Sequence, residues 1–394
     1  MRIEWPPVGY VWRMEADETR HERVDHEIEQ LDDRLWSLAG ELCAEQDEEA
    51  AAHLLTEPLE EAGFSVANRV AGFTAAITAR HGEGRPGVAL LLEYDGRPGA
   101  GLTAAAGLGA ALATRRVTDG EPGSILVAGC PRDGIPALTA AGVFDDVDAA
   151  LLFRPGARSW SWAPLAARAE VRITVRGGAE HPAADAVAGL VQVFTAVAAL
   201  QARLPAGSRA QGIITRGGES TESVPELAEA RFGLSAPTAA ALATLVADVS
   251  ACAEGAAIAT GTKAEVEPLG PGSSHFRDNS VLSNRFAAHL AARGILTTGP
   301  DLGAALGSSG IGDVSLKVPA VHPLVAIVDP AHAENSPQFT AATASPRARA
   351  VLLAAAAALG RTAVDLLAHP ALVRQAWDCF ADQARAERAG HEGR

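Results

Sequence analysis

Positive charge is scarce in this chain of 394 residues: 33 Lys and Arg stand against 48 Asp and Glu, a formal net charge of −15. Nucleic-acid binding runs on Lys and Arg neutralising phosphates, so no nucleic-acid partner is expected. An anionic membrane surface is not expected as a partner, on the same ground. Long apolar runs are also missing, because Gly, Arg or Asp interrupts each one before it could span a bilayer. The N-terminal stretch has no apolar leader core, so no signal peptide is expected and a cytoplasmic location is. Only four cysteines occur, Cys43, Cys130, Cys252 and Cys379, far apart and with no Cys-x-x-Cys pair. That spacing argues against a zinc knuckle and a disulfide scaffold. Tyr and Met number two each, while Ala, Gly and Arg abound, a bias that weakens every propensity argument resting on Ala. There is no internal repeat and no low-complexity linker.

What is present suits a large folded protein. Hydrophobic residues make up 48% and charged residues 21%, and at about 150 residues per domain the length allows two or three domains. Leucines at spacings of three and four predict helix over residues 18–63, stopped at Gly63. Short apolar runs at 73–79, 88–94, 124–128 and 149–153 read as strands, with helices over 101–115 and about 135–142 between the later ones. The 88–94 run is apolar without alternation, as a strand covered on both faces would be. Strand and helix in alternation predict a parallel sheet with right-handed crossovers. After Pro164 the strands at 169–175 and 228–232 alternate apolar and polar, as a half-exposed sheet does. With helices over about 183–204 and 238–254, and strands at 212–215 and 264–267, residues 166–276 read as a compact α+β insert. Residues 277–394 return to helix, a buried strand at 324–328 and a long Ala-rich helix over about 338–368, with a charged, frayed tail over 382–394.

At Glu93-Tyr-Asp-Gly-Arg-Pro-Gly99 the chain resembles the dinuclear-zinc amidohydrolases that include aminoacylases, N-acyl-amino-acid amidohydrolases and carboxypeptidases of small acyl amino acids. Further shared motifs follow in the same order: Gly129, Pro131, Phe144-Asp-Asp-Val-Asp-Ala149, Pro155-Gly156, His181, Gly212-Ile-Ile-Thr215, Ala228-Glu-Ala-Arg-Phe232, Ala253-Glu-Gly255, Val314-Ser315 and Pro319-Ala-Val-His-Pro323. The resemblance runs over nearly the whole chain. It implies an α/β, two-domain fold with a mainly parallel sheet wrapped by helices, built from residues 1–165 and 277–394. It also implies that the 166–276 insert is a lid through which the protein forms a homodimer.

The departures bear on chemistry. The resemblance places the family's zinc ligands on Ala104-Ala-Ala-Gly107, Gly134, Arg154 and Asn335, and the general base on Asp133. Ala, Gly and Arg cannot ligate zinc, which takes thiolate, imidazole or carboxylate. A metal-independent protein without cofactor is therefore expected, with a small anionic molecule as its partner. Arg97, Arg132 and Arg154 are candidates to hold that anion, since guanidinium offers permanent charge and a planar donor fork. They could equally fill vacated space and pair with Asp95 or Asp133. Asp133 is the candidate acid/base and His181 the candidate donor to a substrate oxygen; each could instead be a solvated surface group. His322 and Asn335 are further substrate-binding candidates, and Cys130 reads as a small buried residue. Three functions stay open: a repurposed enzyme acting on a small carboxylated amide, by condensation, cyclisation, elimination or isomerisation; a non-catalytic binding protein; and an amidohydrolase with relocated metal ligands, for which His275, His332 and Glu334 are candidates.

Overall fold

The computed structural model describes residues 8–131, 134–177, 184–301, 307, 309–334 and 336–392, with side chains from residue 17 to 389 within those ranges. The chain divides into two units. One comprises residues 1–163, 277–300 and 314–394; the other comprises 164–276 and 301–313. The sequence reading leaves 301–313 in the first unit. In the structure Asp313 accepts hydrogen bonds from the Ser274 hydroxyl at 2.7 Å and its backbone N–H at 3.3 Å, which ties this segment to the second.

The first unit is built on a six-stranded sheet in the order Ser65–Asn68, Ile77–Glu83, Gly123–Cys130, Gly87–Glu93, Ala149–Leu151, Ala320–Val321. The last four strands run parallel, and the first two pair antiparallel. Gly87–Glu93 is buried along its whole length, as its unbroken apolar run requires. From it the chain crosses to Gly123–Cys130 on one side and then to Ala149–Leu151 on the other. The winding direction thus reverses around Gly87–Glu93, and open α/β sheets place ligands at the carboxyl ends of the strands beside such a reversal.

Helices Ala100–Val117 and Pro346–Ala368 are mostly buried and form the middle of the core. Small side chains let their neighbours come close. A Cβ on Gly101 would lie 2.2 Å from the Ala39 carbonyl oxygen, so only glycine admits the helix Asp32–Ala44 here.

Three readings of helix length change. Residues 18–63 form parts of three helices, Val8–Gln30, Asp32–Ala44 and Glu48–Glu61. Asp47 starts the third by accepting the Glu49 N–H at 2.9 Å. The Ala-rich stretch is two helices, Pro337–Ala342 and Pro346–Ala368. Pro346, lacking an N–H, can begin a helix but not continue one, and Ser345 caps it through the Ala348 N–H at 3.2 Å. The tail is not frayed over its described length: Pro370–Glu392 is helical. Arg277 holds it with two bonds to Glu387, at 3.0 and 2.6 Å, and lies over the Phe380 ring at 5.1 Å.

The second unit carries a four-stranded antiparallel sheet in the order Lys263–Pro268, Ala167–Arg176, Leu227–Ala236, Arg209–Arg216. With the helices Ala186–Gln201 and Ala239–Thr260 this is a β-α-β-β-α-β arrangement. Inward residues alternate along the strands: Val171, Ile173 and Val175 on one, Ala228, Ala230, Phe232 and Leu234 on another. They pack against Leu190, Val193, Leu245 and Val249 of the helices. Ala239–Thr260 and Pro346–Ala368 are long and apolar enough to cross a membrane. Pro346–Ala368 is mostly buried within its own unit, and Ala239–Thr260 packs one face on the second unit's sheet.

Candidate functional site

The central strand ends at Glu93, and the chain turns through residues 95–99 into the helix Ala100–Val117. Asp95 organises the turn: its carboxylate accepts the Arg97 backbone N–H at 3.0 Å and the Arg97 Nε–H at 2.7 Å. Gly99 then adopts φ of 90°, where a side chain would be strained, and a Cβ there would lie 2.8 Å from Pro155 Cγ. Glycine therefore presses the turn against the segment that follows the strand Ala149–Leu151. A cleft results at the carboxyl ends of these two strands, within the first unit. It is lined by Glu93, Asp95, Arg97, Ala100 and Thr103 on one side and by Arg154, Pro155, Glu334 and Phe339 on the other.

The volume open to the centre of a water molecule is about 40 Å³. The first turn of the helix Ala100–Val117 faces the cleft through Ala100 and Thr103, and no side chain caps that helix. The Ala100 and Thr103 N–H groups donate to the Arg97 and Gly99 carbonyls, at 3.2 and 3.1 Å, so this helix end favours negative charge through its dipole. The two arginines are held differently. Arg97 is tied to Asp95. Among the described residues, Arg154 pairs with Glu334 across 3.7 Å, beyond hydrogen-bond length.

Of the residues singled out from sequence, Asp95, Arg97 and Arg154 meet in this cleft. His322 is fully buried beside the strand Ala320–Val321 and does not line it. Its backbone carbonyl accepts the Ala163 N–H at 2.8 Å. Arg132, Asp133, His181 and Asn335 lie outside the described residues. Cys130 is fully buried. Glu93, Thr103 and Phe339 join the cleft without having been singled out, and Glu334 joins it as an arginine partner. Glu93 stands in the motif that carries the resemblance, but nothing local to Thr103 or Phe339 signals the cleft.

The residues described here do not fit a dinuclear zinc centre. The positions onto which the resemblance maps ligands carry Ala104, Ala106 and Gly134, with no donor atom, and the cationic Arg154. Ala104 and Ala106 are buried in apolar helix packing. Among the described residues the cleft offers no Cys or His, and Glu93, Asp95 and Glu334 do not converge as a ligand group. His275, His332 and Glu334 form no such group either.

No protein-family model matches the chain. It is 29% identical to the Xaa-Arg dipeptidase of Mus musculus over 317 residues, 74% of this chain and 73% of that one. It is 28% identical to one component of the p-aminobenzoyl-glutamate hydrolase of Escherichia coli, over 59% of this chain and 56% of the relative. Its fold matches a dinuclear metal-binding peptidase of the M20 family from Bacillus subtilis with a TM-score of 0.63 at 18% identity, covering 86% of this chain and 99% of that one. The resemblance read from the sequence motifs therefore holds in fold and in sequence: the chain is similar to an Xaa-Arg dipeptidase and to a p-aminobenzoyl-glutamate hydrolase component, and it has the fold of an M20-family dinuclear metal-binding peptidase.

Proposed function

We propose that this protein acts on a small carboxylated amide or acyl-amino-acid-like molecule, and that it does so without the two zinc ions that the resemblance implies. The observation that carries the reading is Arg154. It lines the cleft at the carboxyl end of the sheet together with the first turn of Ala100–Val117, where a carboxylate would meet a guanidinium near the positive end of a helix dipole. Its long contact to Glu334 is one an incoming carboxylate could replace.

Zinc lowers the pKa of bound water to about 7 in hydrolases that hold it. A site of arginines and carboxylates has no such nucleophile ready at neutral pH. Condensation, cyclisation, elimination or isomerisation, steered by charge and proton transfer, suits this donor set better than hydrolysis. The missing donor set equally supports a second reading, a binding protein that turns nothing over.

Calorimetric titration with N-acetyl amino acids, p-aminobenzoyl-glutamate and Xaa-Arg dipeptides tests the common core, with product analysis of each mixture. Binding should fall at least about tenfold in Arg154→Ala, the loss of one charge-assisted contact, while the circular dichroism spectrum stays unchanged. Equal binding by wild type and Arg154→Ala would overturn the reading. Binding with no product from any of the three would favour the non-catalytic alternative.

A further inference from the structure

Far in sequence from the cleft residues, three helices of the first unit bring two imidazoles to one carboxylate. His21 lies on Val8–Gln30, His289 on Ser280–Ala292 and Asp365 on Pro346–Ala368. His21 Nε2 is 2.7 Å from Asp365 Oδ1, and His289 Nε2 is 2.6 Å from Oδ2. The two rings meet edge to face with centroids 4.7 Å apart. The three donor atoms all lie within 4.8 Å of one another, and Asp365 is only 1% exposed.

We propose that His21, His289 and Asp365 form a structural binding site for one zinc-like divalent cation. Two imidazoles, a carboxylate and a water make up an ordinary ligand set for zinc. The cluster is the one group of three such side chains, among the described residues, placed to do this. In the metal-free arrangement each histidine donates its Nε2–H to the carboxylate. A cation entering between them takes both Nε2 lone pairs and Asp365 Oδ1, and each neutral ring then carries its single proton on Nδ1 instead, exchanged through solvent. Arg285 already donates its Nε–H to Asp365 Oδ2 at 2.7 Å, so the outer oxygen stays hydrogen-bonded, as ligating carboxylates require. His21 is partly exposed and provides the way in. The acids one turn away do not compete. Asp17 is held by His369 at 2.8 Å, and Asp25 by Arg361 and Arg293. The bound ion would fasten Val8–Gln30 to the core, a stabilising rather than a catalytic role.

The inference is independent of the proposed function and needs no substrate. The full-length protein, stripped with chelator and dialysed, is titrated with Zn²⁺ and with Co²⁺. Metal content, the visible absorption of Co²⁺ and the thermal midpoint are read. About one ion per chain is expected, with a midpoint raised by several degrees at saturating metal. His21→Gln and His289→Gln, which keep a donor to Asp365, should weaken binding by about 100-fold or more. A wild type that takes up neither ion overturns the site. So does uptake that both variants retain in full, which would place the ion elsewhere and would count against the zinc-free reading of the cleft instead.

Discussion

Asp278 carries a cost that pH should reveal. It lies next to Asn279, which caps the helix Ser280–Ala292, and its carboxylate accepts the Ser283 hydroxyl. Burial pushes its pKa up to about 6, against the hydrogen bonds from Ser283 and the Asn279 N–H that lower it. A carboxyl that holds its proton more tightly folded than unfolded stabilises the fold below about pH 4, and this contribution is lost as pH rises through 6. Above pH 6 the buried charge therefore costs about 2–3 kcal/mol by that difference. Asp278→Asn, which can still accept from Ser283, should match wild type near pH 4 and exceed it in thermal midpoint above pH 6. A difference that does not change with pH would remove the titration from the account. The cleft shows how far single residues were legible. Asp95, Arg97 and Arg154 stood out as charges inside recognisable motifs. Glu334 could not be read as an arginine partner, because some 180 residues separate it from Arg154 and only the fold closes that distance.

Val8–Gln30 is fastened by rungs at a four-residue spacing on both partners. Asp17 faces His369, His21 faces Asp365, and Asp25 faces Arg361, so two helices run antiparallel with one charged face each. Beside the rungs, on the same helix, Val24 and Ile28 are fully buried. The middle rung shows how strongly the rungs are held. Burial pushes the Asp365 carboxyl up, but the hydrogen bonds from His21, His289 and Arg285 together outweigh it and keep the group ionised far below the usual carboxylate range. Removing one member of such a pair leaves its partner's charge poorly solvated. Asp25→Ala strands both Arg361 and Arg293 and should cost about 2–3 kcal/mol in urea unfolding. Arg34→Ala, which breaks a half-exposed pair with Glu61, should cost no more than about 0.5 kcal/mol. Equal losses would mean that the ladder is ornament on a hydrophobic contact. The periodicity of residues 18–63 shows helix but not where it breaks. Asp47 is a legible cap, whereas the break at Leu31 has no Gly or Pro to mark it. The tail read as frayed because its charges looked solvated; Glu387 is instead the partner of Arg277.

At the scale of the whole molecule, both the parallel sheet and the antiparallel insert were legible, since a continuous apolar run and an alternating one face different surroundings. Burial bears this out: Gly87–Glu93 is covered throughout, while Leu227–Ala236 alternates. We propose that two copies of the chain meet through the second unit. Arg209–Arg216 ends its sheet, so one edge offers backbone N–H and C=O groups that no described strand pairs. Natural proteins rarely leave an apolar edge strand bare. Here Ile213 and Ile214 are 60% and 54% exposed within the single chain. Neither a charge nor a proline guards the Gly212-Ile-Ile-Thr215 stretch, so it suits antiparallel pairing with its own copy, in which each strand presents the same residues to the other. Sedimentation of the wild type should give the mass of a dimer. Ile213→Lys and Ile214→Lys, which bury no charge in the monomer, should shift it to the monomer mass with unchanged far-ultraviolet circular dichroism. A wild type that sediments as a monomer at micromolar concentration would sink the proposal, and a dimer that both variants retain would move the interface away from this strand.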